Sequence, residues 1–120
     1  MSRIMVVDDS NFMRLFIKNM VKTIGHEIVG EANCGEEAIG QYIKLKPDLV
    51  FMDITMPGMP GINAVKEIIK LDKDARIVMC SAIGQEIIIK EALHAGAKDF
   101  IAKPFQLCDI KKSIEKYAKK

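Results

Sequence analysis

Short, nearly unbroken apolar runs alternate along the chain with longer stretches in which apolar residues recur every three or four positions. The runs at Arg3–Val7, Glu27–Ala32, 49–52, 76–80 and Asp99–Ala102 are four to six residues long. That is the length of a buried strand, and too short for a core helix. Between the first two, Phe12, Leu15, Phe16, Met20 and Ile24 repeat at helical spacing. Ser10 or Asn11 can cap this helix, and Gly25 can stop it. A second helix over Gly35–Leu45 turns Ala38, Ile39, Tyr42 and Ile43 inward and ends before Lys46-Pro47, because the residue before a proline avoids helical geometry.

Asp48 and residues 49–52 read as the third strand, with Asp53 at its end and Pro57 and Gly58 breaking the chain into a loop. Ile62, Val65, Ile68, Ile69 and Leu71 mark a third helix, followed by a polar turn at residues 72–74. Residues 85–95 predict a fourth, with Ile88, Ala92 and Leu93 inward and Gly96 as its stop. Residues 107–119 predict a fifth, with Ile110, Ile114 and Tyr117 inward and lysines outward. Five strands alternating with five helices predict an α/β fold, a single doubly wound, flavodoxin-like parallel sheet covered by helices on both faces. The expected strand order is 2-1-3-4-5, within one domain over residues 1–120.

Composition changes this picture little. Hydrophobic residues make up 49% of the 120 and charged residues 28%, an ordinary mixture that argues against disorder. A formal charge of +2, with no basic stripe interleaved with aromatics, argues against a nucleic-acid partner. The lysines at 111, 112, 116, 119 and 120 read as a solvated face at a helix C-terminus. Cys34, Cys80 and Cys108 are widely spaced, so no disulfide framework or zinc site is expected, and Cys80 reads as a core residue. His26 and His94 read as surface residues. With no leader pattern and no apolar run of membrane length, the expected compartment is the cytoplasm, without membrane insertion.

The chemistry lies at the strand ends. Four of the five predicted strands finish in reactive or charged residues: Asp8-Asp9, Asp53, Ser81 and Lys103. Parallel strands present their carboxyl ends on one edge, so these residues should converge. Three carboxylates and one ammonium leave a charge of −2 in a small mouth. A divalent cation would neutralise it, and an oxygen-only donor set open to water suits Mg²⁺ better than zinc. Such a site can trap a phosphoryl group, with Asp53 as nucleophile, Lys103 neutralising one oxygen and Ser81 hydrogen-bonding another.

Val6-Val7-Asp8-Asp9-Ser10, the Asp53 strand with Met56-Pro57, Ser81-Ala82 and Lys103-Pro104-Phe105 together resemble the receiver domain of two-component response regulators, over the whole chain. The stretches 8–14, 81–85 and 95–100 look like the stand-alone chemotaxis regulators of that family, the CheY type. The resemblance implies that Asp53 is the phosphoacceptor. It also implies that Asp9, Asp53 and the Thr55 carbonyl ligate Mg²⁺, with Asp8 acting through a bound water. Lys103 would contact the phosphoryl group, across a cis Lys103-Pro104 bond. Ser81 would move toward the phosphoryl group and let the Phe100 ring turn inward. The face made by the fourth helix, fifth strand and fifth helix would then change its affinity for a partner. Implied partners are a CheA-like histidine kinase, a flagellar motor switch protein or archaeal motility adaptor, and a phosphatase of the CheC or CheX type. The protein is expected to be a monomer and a signalling module rather than an enzyme. Since no DNA-binding segment follows Lys120, output is expected through protein contacts.

Departures from the family's usual pattern are informative. Phe100 lacks the hydroxyl of the tyrosine common there, Ser81 replaces the more usual threonine, and Pro60 stands where an aspartate is frequent. Thr55 and Ile83 are expected at the mouth, where they tune water access. Other readings are a non-chemotaxis phosphorelay receiver, an aspartate-nucleophile phosphatase, and a flavin or nucleotide binder. The phosphatase would want a second acid at Thr55. The nucleotide binder would want a phosphate loop where Asp8-Asp9 stand.

Overall fold

The computed structural model describes residues 1–82 and 84–119; Ile83, expected at the mouth, and Lys120 lie outside the described residues. Five strands, β1 (Arg3–Val7), β2 (Glu27–Ala32), β3 (Leu49–Asp53), β4 (Ile77–Ser81) and β5 (Asp99–Ala102), alternate with five helices. The helices are α1 (Asn11–Thr23), α2 (Gly35–Leu45), α3 (Gly61–Leu71), α4 (Glu86–Ala95) and α5 (Leu107–Tyr117). All strand pairs are parallel and the order is β2-β1-β3-β4-β5, as the alternation of runs and helices predicts. Strand four begins and ends one residue later than expected, and α5 stops at Tyr117 rather than 119.

Side chains alternate across each strand, so each face of the sheet receives its own apolar set. Met5, Val7, Val50, Met52, Ile77 and Met79 form one layer, packed under α2, α3 and α4. Ile4, Val6, Leu49, Phe51, Val78 and Cys80 form the other, packed under α1 and α5. β1, β3 and β4 are covered on both faces, which is why they read as continuous apolar runs.

The helices correct the sequence reading in one respect: which stripe faces in. In α1 the buried residues are Ile17 and Val21, while Phe12 is 72% exposed and Leu15 54%. In α4 Ile89 and Ala92 are buried, whereas Ile88 and Leu93 point outward. Ile43 of α2 and Leu71 of α3 are likewise exposed. These helices carry apolar residues on more than one face, so spacing alone leaves their rotation open. Packing against the sheet chooses the stripe. Phe12 stacks on Phe16, and Phe16 meets Phe105, so the outward aromatics of α1 are partly covered by one another.

Candidate functional site

The carboxyl ends of β1, β3, β4 and β5 meet at one mouth, to which β1 delivers two residues and each of the others one. Asp53 closes β3 and is 7% exposed; Asp8, just past β1, is 1% exposed. Asp9 follows at the surface. One carboxylate oxygen from each of Asp8, Asp9 and Asp53 lies within 4.8 Å of the others. The Lys103 ammonium reaches in from beyond β5, 3.3 Å from Asp8 Oδ2 and 3.2 Å from Asp53 Oδ1. It is held there by backbone: Lys103 N–H donates to the Ser81 carbonyl at 2.6 Å, and the Lys103-Pro104 bond is cis.

Local structure fixes the acids as well. Ser10 caps α1, accepting from Met13 N–H at 3.2 Å, while its own N–H donates to Asp8 Oδ1 at 2.9 Å. Arg14, one turn into α1, donates to the Asp8 carbonyl at 2.6 Å and pairs with Glu31 at 2.9 Å. The Asp8 backbone is therefore clamped between β2 and α1. After Asp53 the chain turns sharply, and Gly61 N–H donates to the Ile54 carbonyl at 3.2 Å. A side chain on Gly61 would collide with the Asp53 carbonyl, so only glycine lets α3 start this close to the site.

The site is electrostatically unbalanced. Burial, and then the Asp8 charge, push the Asp53 carboxyl up to about 6, against the opposing pull of Lys103. Burial alone would lower Lys103, but the two carboxylates outweigh it and its ammonium holds its proton more tightly than usual. Burial also pushes the Cys80 thiol well above its ordinary range, so this cysteine is an inert part of the core.

Two observations bear on what the mouth accepts. Three clustered carboxylates form a hard, oxygen-only donor set, and the one ammonium beside them leaves surplus negative charge, which fits Mg²⁺. The buried Ser81 Oγ, on the strand next to Asp53, has no hydrogen-bond partner among the described residues. A buried hydroxyl left this way is costly unless a ligand completes it.

Asp8, Asp9, Asp53 and Lys103 therefore meet as the sequence pattern predicts. Ser81 reaches the same edge, and Thr55 N–H points at Asp53 Oδ1 from 3.5 Å. Phe100 is not among them. It is 40% exposed and lines a groove of about 520 Å³ with Ala82, Gln85, Ile89 and Leu93, into which Ser81 also opens. It is not a plain core aromatic. His26 accepts from Ser2 N–H at 3.0 Å, and His94 is exposed, both away from the acids.

Sequence reasoning missed Gln85. Its side chain accepts from Ala82 N–H and donates to Thr55 Oγ1, each at 2.6 Å, so it joins the loops after β3 and β4. A lone glutamine thirty positions from its partner leaves no periodic signal.

Comparison with known proteins agrees with this geometry. The family described as Response regulator receiver domain matches residues 4–115. The chain is 50% identical over 117 residues to the chemotaxis protein CheY of Thermotoga maritima, covering 98% of each chain. It is 52% identical to the Bacillus subtilis chemotaxis protein CheY over 114 residues, 95% of each. Among solved structures, a CheX-CheY-BeF3-Mg complex from Borrelia burgdorferi superposes with a TM-score of 0.91 at 36% identity, over 98% of this chain and 90% of that one.

Proposed function

The chain belongs to the response regulator receiver family, and on that premise we propose that it is a stand-alone CheY-type signalling protein of chemotaxis, one receiver domain from end to end. The observation that carries this reading is the meeting of Asp8, Asp9 and Lys103 around Asp53, beside a serine hydroxyl that lacks a partner among the described residues.

Asp53 is the phosphoacceptor. Its carboxylate oxygen attacks the phosphorus of a histidine kinase's phosphohistidine. A P–O bond forms as the P–N bond breaks, and the electron pair stays on the imidazole, which takes up a proton. Lys103 moves from balancing two carboxylates to holding a phosphoryl oxygen, and the Ser81 hydroxyl donates to another. Asp8, Asp9, Asp53 and the Thr55 carbonyl are the groups that would hold Mg²⁺, with Asp8 acting through water. When bound, the cation neutralises charge that builds on the phosphoryl oxygens.

Signalling follows from charge. Asp53 goes from −1 to about −2 on phosphorylation, and the new oxygens draw on Ser81 and Lys103. Movement of Ser81 opens room at the groove it shares with Phe100, and the ring turns inward from its present half-exposed position. The face of α4, β5 and α5 then alters its affinity for a flagellar motor switch protein or an archaeal motility adaptor. The kinase is CheA-like, and the Borrelia complex supports a regulator of the CheX type as a further partner. The protein works in the cytoplasm as a monomer, a switch rather than a turnover enzyme; no described helix is long and apolar enough to cross a membrane.

The test is incubation with Mg²⁺ and acetyl phosphate, followed by intact mass. A single, transient phosphoryl adduct that is absent in Asp53→Asn supports the reading. No adduct, or sustained turnover of phosphomonoesters, overturns it.

A further inference from the structure

We propose that Gln85 is a positioning residue that restrains phosphoryl uptake, by occupying the backbone donor that an incoming phosphoryl oxygen would use. The inference rests on the function proposed above and extends it to a residue outside the acidic mouth.

Along a parallel strand, successive residues direct their N–H and C=O groups to opposite neighbours. In β4 the Cys80 carbonyl accepts from Ile54 N–H, on the β3 side, at 3.0 Å. The Ser81 carbonyl accepts from Lys103 N–H, on the β5 side, at 2.6 Å. The alternation returns at Ala82, whose N–H faces the β3 side. Asp53 is registered against Cys80, so this N–H lies just beyond the end of β3 where Asp53 stands. β3 ends at Asp53, so its ladder stops short of this N–H. The Gln85 side-chain oxygen accepts it instead, at 2.6 Å.

The other end of the same amide donates to Thr55 Oγ1, also at 2.6 Å. Thr55 N–H in turn faces Asp53 Oδ1. Gln85 stands at the N-cap position of α4 and makes no side-chain cap bond to that helix. Its amide is spent on bridging the two loops, which ties the start of α4 to the residue two places after Asp53.

A phosphoryl group on Asp53 presents three oxygens to this mouth. Lys103 and Ser81 supply donors for two. Ala82 N–H becomes available to the third only when Gln85 lets go. Uptake therefore carries the cost of breaking one neutral hydrogen bond, and the release leaves the start of α4 held to the loops by the Thr55 Oγ1 bond alone. The same step that completes the phosphoryl cradle thus loosens the start of the helix that forms one side of the Phe100 groove.

Two substitutions test this: Gln85→Ala, and Gln85→Met, which keeps length but makes neither bond. With Mg²⁺ and acetyl phosphate, intact-mass time courses should show uptake roughly three- to tenfold faster in both, the equivalent of one neutral hydrogen bond. Backbone amide exchange at Ala82 should accelerate in both variants before phosphorylation and match the parent chain after it. A merely structural role would change thermal stability without that pattern. Uptake by the parent chain at the same rate as both variants, or slower uptake in both, overturns the restraint alone. Absence of uptake in the parent chain overturns the functional reading on which it rests.

Discussion

Lys103 Nζ lies 3.2 Å from Asp53 Oδ1 and is the nearest positive charge to a carboxylate that is nearly sealed from water. The same ammonium serves Asp8, so one cation answers two buried anions, with Asp9 close by. The pairing is incomplete by design of the topology: β5 brings one lysine, while β1 and β3 bring three acids.

Lys103→Met leaves Asp8 and Asp53 buried without their counter-charge. With a chelator at pH 7.5, unfolding free energy should drop by about 1–3 kcal/mol, less than for a fully buried pair because the lysine is partly solvated. Denaturant titration measures it. Phosphoryl uptake from acetyl phosphate should fall at least tenfold with the loss of one charge-assisted contact.

Asp53→Asn should stabilise the metal-free protein at neutral pH. The Asp53 carboxyl titrates at about 6 when folded, above its ordinary 3.8. Between those values the folded chain keeps a proton that the unfolded chain has released. Stability therefore falls as pH rises through that window and levels off above it. The gain from Asp53→Asn should be roughly 1–3 kcal/mol at pH 7.5 and shrink toward nothing near pH 4. Chelator-treated samples, unfolded in urea across that range, check the sign; a gain that grows toward low pH would contradict it.

Mg²⁺ should stabilise the parent chain by mass action. At ten times its dissociation constant the gain is about 1.4 kcal/mol, a few degrees in melting temperature. Asp9→Ala removes the most accessible of the three clustered carboxylates and should abolish most of that shift.

Gly61→Ala drives a methyl group into the Asp53 carbonyl. Backbone cannot yield as a flexible side chain can, so stability should drop by about 1–3 kcal/mol. Phosphoryl uptake should slow too, since the strained loop carries both Asp53 and Thr55.

Tyr42→Phe is the control remote from the mouth. The buried Tyr42 hydroxyl donates to Asp72 at 2.7 Å, where α2 meets the end of α3. Losing that bond should cost about 1 kcal/mol in denaturant titrations. The rate of phosphoryl uptake should be unchanged.

The strands, their order and the convergence of Asp8, Asp9, Asp53 and Lys103 were legible before any coordinates. A strand buried on both faces is a run of apolar residues, and a charged residue at the end of such a run has few places to go. Parallel topology then brings those ends to one edge. The helix faces were less legible: Ile17 and Val21 of α1 lie inward while Phe12 and Leu15, whose spacing marks that helix, lie outward, and Ile89 of α4 takes the inner place expected of Ile88 and Leu93. Apolar residues surround much of α1 and α4, and periodicity does not distinguish between adjoining stripes.

By itself, then, the order of residues determined which segments are strands and which chemistry waits at their ends, because both depend on local composition and on alternation. Only the tertiary structure decided the rotation of α1 and α4, the outward stance of Phe100, the need for glycine at 61 and the bridge from Gln85 to Thr55. Each of these depends on atoms brought together from distant parts of the chain, and contact at a distance is set by how whole elements dock rather than by the residues next to one another.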